Sequence, residues 1–358
     1  GGNLTRNAEE NITDIGTDIE VGGDFNQTAD TWDSLAARNE QFSETTYEET
    51  TAKVGVYVQA EGEASAQASA DAELRAGTME NKAEANAGAG AKAEGRASAG
   101  VEVQVDRLVE TDKERSTQAV VSNIRAGGNL NSTTTGKTTI EGSNADVGGD
   151  INLTADELEM RAARDTNERS STSEEINTRV AASIGVGGEA EASASVSSED
   201  GTKTKTKAEG GVNVQAEMQF AMSQSGEQER STTAVTSTFG GQNININTNK
   251  ATTIEGANLN AEDGVNIDAE SLDFKAAQNT FEASSSELSI ETELKAKVGI
   301  IGNEGAKVSG SADVGTAGSQ ESGTEAVTGS INAGNLNITT REDTRFEGTE
   351  LNIEGDAT

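Results

Sequence analysis

The chain has 358 residues, 40 of them glycine, with hydrophobic residues at 32% and aromatics at 3%. That is too little apolar bulk for a thick globular core, which leaves disorder or a thin structure whose short strands pack only on their neighbours. A formal net charge of −35 argues against nucleic acid and anionic membranes as partners, and the lack of cysteine and histidine removes disulfides, thiolate metal sites and the commonest general base.

Proline is absent, which suits a chain that is nearly all paired strand, because proline cannot donate to a ladder. No apolar run approaches the ~20 residues of a membrane helix, and no signal peptide is visible. The opening GGNLT repeats the interior GGNLN at 127–131, so the chain is expected to begin in mid-repeat, as a piece of something longer.

Residues 1–53 are read as rungs of a stacked β-structure. They contain GTDIEVGGDFNQTADTWDSLAA at 16–37, the first copy of a motif that organises the whole sequence. Trp32 aligns with Leu158 and Leu272 of later copies, so it is read as rung filling rather than as a sugar platform. Residues 54–115 form a first hairpin excursion. Ala64, Ala66, Ala68, Ala70 and Ala72 alternate with polar residues, as do Ala85, Ala87, Ala89, Ala91 and Ala93 on the return, around a turn near Gly77–Asn81. Helix is the alternative for such Ala-rich stretches, but alanines at i, i+2 and i+4 with Gly and Ser between them favour strand.

Rungs resume over 116–175, with TTIEGSNADVGGDINLTADELEMRAARDT at 138–166. A second excursion spans 176–225 and turns at Asp200 and Gly201. Rungs return over 226–290, where TTIEGANLNAEDGVNIDAESLDFKAAQNT at 252–280 repeats 138–166 at a constant offset. A third, shorter excursion covers 291–322, turning at Asn303 and Gly305, and rungs close the chain over 323–358. Repetition at this scale decides the architecture. Within each copy a period of two places Ile140, Ile151, Leu153, Leu158 and Met160, then Ile254, Val265, Ile267, Leu272 and Phe274, on one buried face. Gly-Gly, Gly-Asp and Gly-Ser-Asn steps supply the turns. The fold is therefore all-β: a right-handed parallel β-helix, or solenoid, with long antiparallel hairpin excursions. Asn144, Asn152, Asn258 and Asn266 recur at matched places and are read as stacked amides at turns. The polar stretches 39–53 and 165–179 are read as hairpin bases or linkers.

The order of these elements resembles the hemagglutinin repeats of filamentous hemagglutinins and of contact-dependent growth inhibition effectors. The resemblance rests on the rung Gly148–Ala155, the steps Ala162–Thr166 and Ala276–Thr280, the Ser-rich runs Ser170–Glu175 and Ala283–Glu287, and the return rungs Ala126–Asn131 and Ala333–Thr340. It implies a two-partner secretion passenger: an exported stick, secreted or on the bacterial cell surface, that projects a distal binding or toxin element. Its implied partners are an outer-membrane two-partner secretion transporter during export and a target-cell surface or outer membrane, where repeats of this class are held to assist toxin delivery.

The chain is expected to be a monomeric rod without cofactor, metal or enzymatic activity. Acidic pairs such as Asp156-Glu157 and Glu174-Glu175 would be the carboxylates of a polysaccharide-acting β-helical enzyme, but 62 acidic residues produce such pairs by chance. A trimeric spike or needle of a phage tail or type VI secretion device is the other alternative, and oligomeric state separates it.

Overall fold

A computed structural model of the chain describes all residues except 62–63, 76–81, 198–200, 209–210 and 300–304. Alternation becomes burial directly. In Ile151–Ala155 the side chains of Ile151, Leu153 and Ala155 are buried and those between them face outward; in Glu157–Arg161 the buried pair is Leu158 and Met160. Short strands of this kind stack in parallel. Ile151 lies beside Leu130 on one side and Ile244 on the other, so each rung covers the next.

Each rung has three sides. One side is a seven-stranded parallel sheet of Asn11–Ile15, Thr31–Leu35, Lys137–Glu141, Glu157–Arg161, Ala251–Glu255, Ser271–Lys275 and Thr344–Glu347. The other two sides join into one twelve-stranded sheet, because Ser237–Thr248 and Ala257–Ala269 run unbroken across the corner between them. At 22–23, 127–128 and 148–149 a glycine doublet breaks that corner, and at Gly334 a single glycine does. The strand continues both through Gly240-Gly241 and through Glu262-Asp263-Gly264, with a register shift between Gly241 and Asn243 where the two strands pair. A third, eight-stranded sheet is antiparallel and holds the hairpins.

The apolar interior runs in columns along the stack. Trp32, Thr138, Leu158, Thr252 and Leu272 follow one another, as do Ser34, Ile140, Met160, Ile254 and Phe274. All ten residues read from the sequence as rung filling are buried there, Val265 and Ile267 on the neighbouring side included. Full burial of each large side chain contributes about 1.5–3 kcal/mol. A thin stack therefore gathers its stability from neighbour contacts rather than from one thick core.

The N-terminal end of the interior is polar. Arg6 donates two 2.8 Å hydrogen bonds to buried Asp14, a third to Gln27, and lies 4.9 Å from the Phe25 ring centre. Trp32 Nε1 donates to Asp14 at 3.0 Å, and Gln27 donates to Ser132 at 2.9 Å. Burial pushes the Asp14 carboxyl up, but the hydrogen bonds from Arg6 and Trp32 and the Arg6 charge outweigh it and hold the group below its ordinary value of 3.8. A carboxyl depressed on folding stabilises the fold above its unfolded pKa, and that contribution is lost as pH falls through the folded one. Acidification below the ordinary carboxylate range is thus expected to open the first two rungs, and Asp14→Asn should flatten that pH dependence. Hydrogen exchange of the Ile12 and Trp32 amides across an acid series checks this; identical pH profiles for the two proteins would contradict it.

The side-chain amides do ladder, but not where the sequence suggested. Asn152 and Asn266 lie within strands, in the run Asn26, Asn131, Asn152, Asn245, Asn266, each amide donating to the one before at 2.8–2.9 Å. Asn144 donates to Asn123 at 3.2 Å, and Asn258 accepts from Ser330. At the glycine corner the ladder is built instead by the side chains of Asn3, Asp24, Asn129 and Asp150, which accept in turn from the backbone N–H groups of Asp24, Asn129, Asp150 and Asn243. The outward strand positions stack in register at the rung spacing of about 4.8 Å, which is why an in-strand amide meets its copy. Asn152→Ala breaks the run in the middle and is expected to cost about 1–2 kcal/mol in a urea melt; no change in midpoint would mean that water replaces the ladder without loss.

Candidate functional surface

Rungs without an excursion turn their last corner on a glycine. Gly16, Gly142, Gly256 and Gly348 all have φ between 51° and 60°. Rungs with an excursion leave from the same corner through Ala36-Ala37, Ala162-Ala163 and Ala276-Ala277. The two corner types alternate and touch: a Cβ on Gly142 or Gly256 would lie 2.5 Å from that of Ala163 or Ala277. Hydrogen-bonded partners 21 residues apart mark a plain rung, and partners 105 or 93 apart mark one that contains a hairpin. The unit is therefore two rungs and one hairpin.

The hairpins are longer than the Ala-rich cores that announce them. Pairing begins at Ala37 with Val120, Ala163 with Val235, and Ala277 with Val327. The stretches 39–53 and 165–179 are the proximal halves of these strands, polar because both faces meet solvent while the backbone is paired, on one edge for 39–53 and on both for 165–179. Asp200 and Asn303 lie outside the described residues, as does the turn near 77–81. Gly201 opens Gly201–Ala208 opposite Ser197, and Gly305 precedes Lys307–Val327.

Hairpins pair with one another. Lys82–Val120 of the first runs beside Ala163–Ser197 of the second, and Gly211–Val235 beside Ala277–Gly299 of the third. The reason is metric. Two rungs advance the stack by about twice 4.8 Å, and the two strands of a hairpin occupy the same width in a sheet. Successive hairpins therefore meet at strand spacing and merge into one lateral sheet. The strand Ala163–Ser197 has 35 residues, which span roughly 115 Å when extended. Eight rungs occupy only about 40 Å, so the lateral sheet is the longer dimension of this segment.

The roots are tied by a repeated set of bonds that the sequence reading did not single out. Arg38 donates to Glu141 and to the Arg164 carbonyl, and Arg164 donates to Glu255 and to the Gln278 carbonyl. Asp165 accepts from the Ala119 N–H at 2.6 Å, and Asn279 from the Ala234 N–H at 2.8 Å. Thr117 meets Thr166 at 2.6 Å, and Thr232 meets Thr280 at 2.7 Å. The recurring Ala-Ala-Arg-Asp-Thr and Ala-Ala-Gln-Asn-Thr steps were the available signal.

Further out, the sheet becomes amphipathic. Val54, Val103, Val180, Met218 and Leu294 share one row, and Val58, Ala99, Ile184, Val214 and Val298 another, on the same face. Central members such as Val101 and Ile184 are fully buried, while Val56 and Val308 on the two edge strands are about half exposed or more. The opposite face carries Arg179 with Glu102 at 2.6 Å and Lys295 with Glu217 at 3.5 Å. The alternation of alanine with polar residues read from the Ala-rich stretches does not extend to this valine-rich middle.

The acidic pairs do not converge. Glu174 and Glu175 are consecutive in a strand, so they point to opposite faces, toward Arg107 and Asn177. Asp156 pairs with Lys250 at 2.8 Å and Glu157 with Lys137 at 3.0 Å. Among the described residues no group of three or more acidic side chains is placed to hold a metal ion.

Stacked parallel rungs, corner hairpins and a shared lateral sheet define a structural repeat protein of the β-helix kind. Residues 103–220 and 218–356 match the hemagglutinin repeat, and the chain belongs to that family. Each matched stretch enters on a returning hairpin strand; the first takes in two rungs and the excursion that follows them, the second two rungs, the next excursion and the rungs that resume after it. No curated protein and no solved structure matches the chain.

Proposed function

We propose that the chain is a structural segment of an exported bacterial surface filament, an adhesin or contact-dependent growth inhibition effector, that projects a distal binding or toxin element. The observation that carries this reading is the matched pitch of rungs and hairpins. A thin stack braced along its side by a continuous sheet resists bending, and it lengthens by whole units without a new core. The rungs wind as a right-handed parallel β-helix, the hand that the twist of strands favours for parallel crossovers.

A single copy folds as a monomer with no cofactor and no catalytic role, and the stack is the axis along which the filament lengthens. Its partners are the outer-membrane transporter during export and the target-cell surface or outer membrane, where the segment assists toxin delivery. The dense negative charge keeps such a surface soluble and its edges apart.

Antibodies raised against the lateral sheet test this on intact cells that make the protein. Labelling without permeabilisation is the expected result. Labelling only after permeabilisation would rule out a surface filament.

A further inference from the structure

We infer that the lateral sheet folds back on itself across a row of glycines, so that the Ala-rich ends of the first two hairpins cap its valine-rich face. The cap is a conformational device, closed in the free chain, and it does not depend on the structural role proposed above. A sheet one layer thick leaves both faces wet. Here Ala99, Val101, Ile184 and Val212 are fully buried, while Asn213 and Gln215 on the other face are exposed. A second layer therefore covers the valine face alone. The rungs are too far away to supply it, since Val101 and Ile184 stand roughly 60–70 Å along their strands from the roots at Val120 and Ala163. The third hairpin lies beside Gly211–Val235 within the sheet, not over it. What remains is the outer part of the first two hairpins.

The sequence places the bend. Counting by twos along Lys82–Val120, the buried Val101, Ala99 and Ala97 are followed by Gly95 and then by Ala93, Ala91, Ala89, Ala87 and Ala85. Along Ala163–Ser197 the buried Ile184 and Val186 are followed by Gly188 and then by Ala190, Ala192 and Ala194. The ladder between these two strands is unbroken there and pairs Gly95 with Gly188. The two glycines thus share one row, on the valine side of the sheet and at the boundary with the alanines. Gly62 and Gly210 stand at the same count in the flanking segments, outside the described residues. A row without side chains on one face is where a sheet can bend toward that face, and such a bend lays alanine on valine. Ala64–Arg75 is accordingly in contact with Ala37–Glu61, although the two follow one another along one edge of Lys82–Val120 and share no ladder. Alanine adds little apolar contact per residue. The cap therefore opens at lower cost than a rung, and opening uncovers the valines.

The chain has no cysteine, so spin labels at Glu175→Cys and Ser195→Cys, both counted onto the face opposite the valines, report the bend in the intact protein. A straight strand separates them by roughly 65 Å. A folded-back one brings them to about 30 Å, with the layers about 10 Å apart. Double electron–electron resonance is expected to give the short distance. Gly95→Val with Gly188→Val fills the inside of the bend, and should lengthen the distance beyond about 45 Å and raise the binding of an apolar fluorescent dye several-fold. Gly185→Val, on the other face with nothing within 4 Å of an added Cβ, should change neither. If the double valine variant fails to fold, the distance in the labelled parent still decides. A parent distance of about 65 Å, or a folded double valine variant with the short distance and unchanged dye binding, would overturn the proposal.

Discussion

Replacing Trp32 by alanine is expected to cost about 3–5 kcal/mol, the range for deleting a large aromatic from a core that cannot collapse. Trp32 is fully buried, with Ile12 stacked on one side and Thr138 on the other, and its indole N–H holds the Asp14 carboxylate. Those neighbours are fixed by backbone ladders, so the cavity has little means of closing. Because a stack couples mainly to its nearest rungs, the damage should stay local. Amide protection should fall across Asn11–Ile15, Thr31–Leu35 and Lys137–Glu141 and persist in Ser271–Lys275. Uniform loss along the chain, or a change below about 1 kcal/mol, would show that the interior is not organised rung by rung.

Gly256→Ala is the second large effect, about 2–4 kcal/mol from two sources. A side chain at φ +60° is strained in itself, and the added methyl would sit 2.5 Å from the Ala277 Cβ. The sources separate in a double-mutant cycle. Ala277→Gly removes only the collision, so it should destabilise the Gly256→Ala protein less than it destabilises the parent. Gly185, with nothing within 4 Å of a built Cβ, is the control, and Gly185→Ala should stay within about 0.5 kcal/mol. Additive effects at 256 and 277 would mean that the two corner types do not touch.

Much of this was legible in the sequence because a period of two states burial directly. Ile140, Leu158 and Phe274 could be placed inside from alternation alone, and the copies at 138–166 and 252–280 fixed the unit. The merging of the hairpins was not legible. It depends on two rungs and two strands having the same width, a relation between separate elements that no single segment carries. The polar halves of the hairpins left two readings open, hairpin base or linker, for a related reason. Residues such as Glu168, Ser170 and Thr172 have no apolar face to advertise a strand, and only backbone pairing on both edges makes them one. At Asp14 the inward position was implied by alternation with Ile12, but the charge hid it, and only Arg6 and Trp32 arriving from adjoining strands make its burial tolerable. The in-strand Asn ladder likewise needed the register before Asn152 could be told from a turn residue.

The lateral sheet is tested most directly by disulfides placed across its two junctions, in a chain that has no cysteine of its own. The hydroxyls of Thr117 and Thr166 are 2.6 Å apart and those of Thr232 and Thr280 2.7 Å, although each pair joins different hairpins. Thr117→Cys with Thr166→Cys, and Thr232→Cys with Thr280→Cys, should each oxidise within the monomer at low protein concentration. A folded protein in which either pair stays reduced, or links only between molecules, would mean that the hairpins project separately and the matched pitch does not bind them into one sheet.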